Sequence, residues 1–231
     1  MRVEIWSDVV CPWCYIGKRR FETALANVGA RRDTSGVEVV YRPFQLDPRA
    51  APGLVQPVAE AYAKKFGGPE RAAEIIAHVT RTAAADGIDF HLDRALRANT
   101  LLAHRLIAFA EHQGHQAEAE ERLMQAYFVD GENISDVDVL CQCATDVGLD
   151  PDQARRFIES DEAGAEVTEH LAEAAANGIT AVPTYVFNQQ WAVPGAQDVA
   201  VFERVLDRLL DNEQADVSTS ANACEDEACD V

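Results

Sequence analysis

Hydrophobic and polar positions alternate at the start of the chain. Val3 and Ile5 stand against Glu4 and Trp6, so residues 2–7 read as a short strand. The period then lengthens: Cys14, Gly17, Phe21, Leu25 and Val28 share one helical face. Pro12 suits the first turn of that helix, where a missing N–H costs nothing, and Gly29 closes it. Residues 37–44 are β-rich again, completing a right-handed βαβ unit. A loop follows over 46–57, with prolines at 48, 52 and 57.

From about residue 58 to 177 the pattern is almost wholly helical. Helices are predicted over 58–66, 69–86, 93–113, 115–129, 135–147, 151–159 and 161–176, with Ser135 and Asp138 as a capping box. The period then shortens. Thr184-Tyr185-Val186-Phe187 reads as a strand, Asn188-Gln189-Gln190 as a turn and Trp191-Ala192-Val193 as its partner, with Pro194-Gly195 ending the hairpin. Asp198 can cap a last helix that turns Val201, Phe202, Val205, Leu206 and Leu209 inward. After Asp211 the chain is polar and acidic, which predicts a flexible tail. The fold class is therefore α/β, a four-stranded thioredoxin-like fold interrupted by a large all-helical insertion. Residues 1–50 and 178–212 make the core, 51–177 the insertion and 213–231 the tail.

Charge narrows the function. The net charge of −19 opposes nucleic acid, and no stretch approaches the roughly 20 apolar residues that span a bilayer. The first 49 residues nevertheless hold eight Lys/Arg against six Asp/Glu, whereas seven acids and no base follow from Asp211 onward. Met1 leads directly into strand, so no signal peptide is read and a cytoplasmic location is expected. Six cysteines in such a chain are better read as reactive, metal-binding or packing residues than as a disulfide framework.

Cys11-Pro12-Trp13-Cys14 opens the first helix. Thiol exchange needs a thiolate within reach of a second thiol. A helix N-terminus provides both, because its free N–H groups and positive dipole end favour the anion. Cys11, at the mouth, is expected to meet solvent and attack; Cys14, on the buried stripe, is expected to be shielded and to resolve the mixed disulfide. Half a zinc site is the other reading, but no second pair or nearby histidine completes one, so no metal is expected. Val182-Pro183, just before the third strand, suits a cis-proline loop facing the dithiol, whose Val182 backbone could pair with a bound polypeptide. A proline that merely starts a strand is the alternative.

Five blocks resemble the DsbA family, and most closely its FrnE-like branch, related to 2-hydroxychromene-2-carboxylate isomerases and kappa-class glutathione transferases. They are SDVVCPWCYIGK (7–18), YRPFQLDP (41–48), NTLLAHRL (99–106), AYFVDGENISD (126–136) and GITAVPTYV (178–186), in order across about residues 2–210. The resemblance implies a thiol–disulfide oxidoreductase acting on protein disulfides, with Cys11 and Cys14 as redox residues and Pro183 as the cis-proline. Pro12 and Trp13 would tune the pair. Trp13 stands where the strongest oxidants of the class carry histidine, which implies a less oxidising couple. Asn99 and His104 could line the cleft or serve structure. The isomerase and transferase relatives bind glutathione and typically carry serine at the Cys11 position. They supply the alternative, a glutathione-dependent enzyme of small molecules. No cofactor is implied beyond glutathione as a reductant or substrate. The implied partners are disulfide or thiol proteins and cellular thiol reductants.

Cys141 and Cys143 lie two apart on a predicted helix, about 200° around it, and read as packing residues. Cys224 and Cys229 form a C-x4-C pair of a kind FrnE-like proteins can carry. Four neighbouring acids oppose thiolate formation there, so the pair suits receiving a disulfide from Cys11–Cys14. A bland acidic tail, or a weak metal site, is the other reading. A third class of function is a non-catalytic helical module that holds a client protein.

Overall fold

Strand β1 (Arg2–Ser7) is the axis of the molecule. It pairs in parallel with β2 (Glu38–Pro43), from Arg2 opposite Glu38 to Ser7 opposite Pro43. It pairs antiparallel with β3 (Thr184–Phe187), which turns through Asn188 and Gln189, both at positive φ, into β4 (Trp191–Pro194). The four-stranded sheet has the order β2-β1-β3-β4. The computed structural model describes residues 1–51, 53 and 56–226, the last of these from 213 onward as backbone alone. Because β1 is central it is covered on both faces, and Trp6, expected on the polar side, is buried with Val3 and Ile5.

Helix α1 (Pro12–Gly29) crosses from β1 to β2. Its Phe21 anchors a core on one side of the sheet, 5.3 Å from the Tyr185 ring and edge-on to Phe202 at 5.4 Å. The last helix, α9 (Val199–Asp226), supplies Phe202, Leu206 and Leu209 to that core. It was expected to stop near Asp211, with a flexible tail after it. No glycine or proline follows Gly195, so nothing in the chain breaks the helix, and it continues to Asp226.

Among the described residues, seven α-helices lie between β2 and β3: α2 (Val58–Phe66), α3 (Pro69–Ala85), α4 (Leu101–His112), α5 (Gln116–Gln125), α6 (Val137–Asp146), α7 (Pro151–Ile158) and α8 (Asp161–Ala176). Their core, with Phe90 stacked on Phe128 at 4.4 Å, takes in Cys11, Cys14, Tyr15 and Ile16 from the start of α1. The cysteine-bearing end of α1 thus packs into the helical block, and its other end packs under the sheet.

Three expected boundaries shift. α4 begins at Leu101, not near 93, because residues 95–97 bond backbone to backbone with 56–58 instead of coiling. α5 ends in a π-helical turn (Ala126–Asp130) closed by Gly131 at φ 72°, where a Cβ would lie 2.8 Å from that of Arg94. Asp136, not Ser135, caps α6 by accepting from Asp138 N; Ser135 is engaged with the backbone of Asn99.

Candidate active site

The turn after β1 is tied by Cys11 N donating to Asp8 O at 2.8 Å, which sets Cys11 in extended backbone as the N-cap of α1. Pro12 occupies the first helical position, and Cys14 N donates to Cys11 O at 2.9 Å. This tight first turn stacks the two side chains. Both thiols are free. Cys11 Sγ lies 3.7 Å from the carbonyl of Val182 and donates to it, and the Val182–Pro183 peptide is cis. Gly17, one turn further along α1, lets the helix close on this loop. A Cβ there would meet Tyr185 Oη at 2.6 Å and Pro183 Cγ at 3.1 Å.

Exposure differs from the expectation for Cys11. It is only 4% exposed, against 2% for Cys14, and belongs with it to the helical block's core, against which Tyr62 of α2 and Val182 pack. The mouth of the helix is therefore roofed by the helical block. Burial pushes the Cys14 thiol well above its ordinary pKa, and the hydrogen bond and charge of Cys11 push it the same way. The Asp8 backbone and the Ser7 hydroxyl act in the opposite sense. Cys14 accordingly keeps its proton and offers it to Cys11. The Tyr62 phenol is pushed up to about 12, mainly by burial and further by Cys11.

Beneath the dithiol lies a buried polar floor. Ser7 Oγ donates to Glu120 Oε1 at 2.7 Å, and burial pushes the Glu120 carboxyl upward against the pull of Ser7, His104 and Lys18. Asp8 Oδ2 accepts from Leu46 N at 2.7 Å. His104 Nε2 faces the Phe44 carbonyl at 2.9 Å, so it carries the proton, and lies 3.4 Å from Asp8 Oδ1. On the next residue of α5 the outcome reverses. Burial would raise Glu121, but Lys18 (2.5 Å), Tyr15 (2.8 Å) and Arg19 (2.7 Å) outweigh it, and the carboxyl sits below its ordinary range.

The remaining candidates are placed as follows. Trp13 is the exposed residue of the motif, 36% accessible, with its ring 6.1 Å from that of His78. Asn99 donates from Nδ2 to Ala50 O at 2.7 Å and accepts from Leu101 N at 3.0 Å. Cys141 and Cys143 are both buried in α6, and Cys143 is pushed up to about 11, chiefly by burial. The backbone of Cys224 lies in α9, and Cys229 lies outside the described residues. Among the described residues no three His, Cys, Asp or Glu side chains gather as a metal ion requires. No described helix is long and apolar enough to cross a membrane. Sequence reasoning missed Glu120, Ser7 and Tyr62. Only Ser7, adjoining the motif at the end of β1, carried a local signal; the other two reach the site through tertiary packing.

An N-capping cysteine, a second thiol one turn on and the Val182 carbonyl of a cis-proline peptide against the first form the arrangement of a thioredoxin-like fold's dithiol. The chain belongs to the family described as the DSBA-like thioredoxin domain, which matches residues 2–207, and is a redox enzyme of DsbA-like thiol–disulfide oxidoreductase type. The chain is similar to SCO1869 of Streptomyces coelicolor, a probable DsbA oxidoreductase. The two are 37% identical, superpose with a TM-score of 0.83, and the match covers 90% of this chain and 89% of that one. It is also 29% identical to the uncharacterized protein YwbO of Bacillus subtilis, over 89% of this chain and 96% of YwbO. The cytosolic disulfide reductase DsbM of Pseudomonas aeruginosa, solved with GSH, shares the fold. Its TM-score is 0.63 at 19% identity, over 91% of this chain and 99% of that one.

Proposed function

We propose that the protein exchanges disulfides with polypeptide substrates, with Cys11 attacking and Cys14 resolving. The observation that carries this reading is the unequal treatment of two adjacent sulfurs. Cys11 abuts the Val182 carbonyl and receives the hydrogen bond of Cys14, whereas burial and Cys11 hold Cys14 protonated. The Cys11 thiolate attacks one sulfur of the substrate disulfide, forming a mixed disulfide and releasing the other sulfur as a thiolate. Cys14 then gives up its proton and attacks the Cys11 sulfur. The second substrate sulfur leaves as a thiolate, and the Cys11–Cys14 bond forms. The substrate has gained two electrons and the protein has lost two, so a cellular thiol reductant resets the pair; the reverse sequence oxidises a dithiol substrate. The chain of polar groups from Cys14 through Ser7 to Glu120 offers the departing proton a path. Val182, which precedes the cis-proline and sets its carbonyl beside Cys11, suits pairing with a substrate strand.

The test is trapping. Cys14→Ser should accumulate mixed disulfides on Cys11 that contain polypeptides and are released by dithiothreitol. Glutathione as the sole trapped partner would overturn the polypeptide reading in favour of a glutathione-dependent enzyme.

A further inference from the structure

Cys11 is nearly sealed, so a substrate must arrive along the residues beside it. A cleft of about 470 Å³ opens there, between α2, the loop around Leu46 and Arg49, and the turn before α1. Val10 and Pro12, the two neighbours of Cys11, line it together with Tyr62, whose phenol feels the charge of Cys11. The lining is unlike the rest of the surface in two ways. Leu46 and Phe66, 41% and 39% exposed, are two of the four exposed large hydrophobic residues among the described ones, and both lie in it. The rim is cationic, with Arg49, Lys64, Lys65 and Arg97 against the single acid Asp47.

Asp47 is already taken by Arg97, whose Nε donates to it at 2.8 Å. Arg49, Lys64 and Lys65 have no carboxylate partner among the described residues, although acids outnumber bases 39 to 20 in the chain. Lys65 lies over the Phe66 ring at 5.5 Å, which places a cation at the edge of an apolar surface. Three unpaired cations collected beside a reactive thiol in an acidic protein form a field that attracts anions and repels the protein's own kind of surface.

We propose that this cleft is the docking site for the substrate segment next to the attacked cysteine, and that it takes an acidic polypeptide bearing an aromatic or aliphatic side chain. The proposal rests on Cys11 as the attacking thiol and adds the class of substrate it serves. Carboxylates sit against Arg49, Lys64 and Lys65, and the apolar side chain rests on Leu46, Tyr62 and Phe66. Glutathione also presents carboxylates; the length and apolar character of the cleft favour a polypeptide.

The experiment separates docking from chemistry. Labelled peptides in which serine replaces cysteine, of the form Ser-Glu-Glu-Phe or Ser-Lys-Lys-Phe within a common flank, are titrated into the full-length protein. The acidic peptide should bind about tenfold tighter at low salt, and the preference should fade at high salt. The exposed charge reversals R49E, K64E and K65E together should abolish the preference, with the thermal unfolding temperature unchanged. Equal binding of both peptides, or a preference that survives the triple reversal, overturns the proposal. So does a glutathione-disulfide turnover that falls in the triple variant while peptide binding does not. Acidic-peptide binding that emerges only after E225Q, D226N, E227Q and D230N would assign the cleft to this chain's own C-terminus and likewise overturn it. Turnover of the matching cysteine disulfides, beside the uncharged hydroxyethyl disulfide, is read in parallel. Loss of all turnover with docking intact would defeat the exchange mechanism alone.

Discussion

Among the described residues, two cysteine pairs lie on or at the start of helices at similar depth, and they differ in the surroundings that the proposed exchange needs. Cys11 and Cys14 are 4% and 2% exposed; Cys141 and Cys143 are 7% and 1% exposed. Burial by itself therefore does not separate them. What differs is position along the helix. Three residues apart on the first turn, Cys11 and Cys14 lie close together at the positive end of the helix, with the Val182 carbonyl beside Cys11. Two apart in mid-helix, Cys141 and Cys143 have their backbone groups engaged in the helix and their sulfurs on different sides. Burial raises Cys141 and takes Cys143 to about 11, with no neighbouring thiol to exploit it. A cysteine becomes a reagent through its local backbone and its partner, and depth alone makes it packing.

The sharpest way to break this contrast is by deletion. Cys11→Ala should reduce insulin reduction to background. Cys141→Ala with Cys143→Ala should leave the rate within about twofold, while losing about 1 kcal/mol of stability per buried sulfur. A double variant as inactive as Cys11→Ala would place the second pair in the chemistry. Next in size is Gly17→Ala, which forces a Cβ to 2.6 Å from Tyr185 Oη and 3.1 Å from Pro183. Overpacking of this kind costs about 1–3 kcal/mol. Because it moves α1 from the Pro183 loop, exchange should slow as well, which a urea melt and a turnover assay read together. The same substitution at Gly36, where a Cβ meets nothing and the backbone is not at positive φ, should leave exchange untouched.

The smallest effect concerns Glu120. A carboxyl whose folded pKa is raised favours folding below the ordinary glutamate range, and that contribution disappears as pH rises through the raised value. Glu120→Gln keeps an acceptor for Ser7 and removes the titration. Its unfolding temperature should therefore gain on the native protein as pH rises from the ordinary glutamate range through the raised value. Equal pH profiles for the two proteins would show that Glu120 titrates as it does in the unfolded chain.

The sheet, the βαβ unit and most of the helices were legible because each rests on a short-range pattern: alternation in β1, a heptad-like stripe in α1, turn residues before β4. Other features depended on distant chain. Trp6 reads as a polar-face residue until the central place of β1 in the sheet shows both its faces covered. Residues 95–97 have helical composition, yet their backbone bonds to 56–58, and no local signal could announce that. The dithiol and Pro183 were visible as motifs. The roof over Cys11 and the Glu120 floor were not, since Tyr62 and Glu120 lie on helices 51 and 109 positions away from it.

One feature of the fold sets how far the molecule can be simplified. The first residues of α1, both cysteines among them, are packed into the hydrophobic interior of the seven-helix block as well as joined to the sheet. Pruning the chain to a minimal thioredoxin would retain the motif but strip its walls, leave Ser7 without Glu120 and open the sulfurs to water. The helical block is thus half of the reaction vessel, and natural variants that remodel it should alter the chemistry of a dithiol they never touch in sequence.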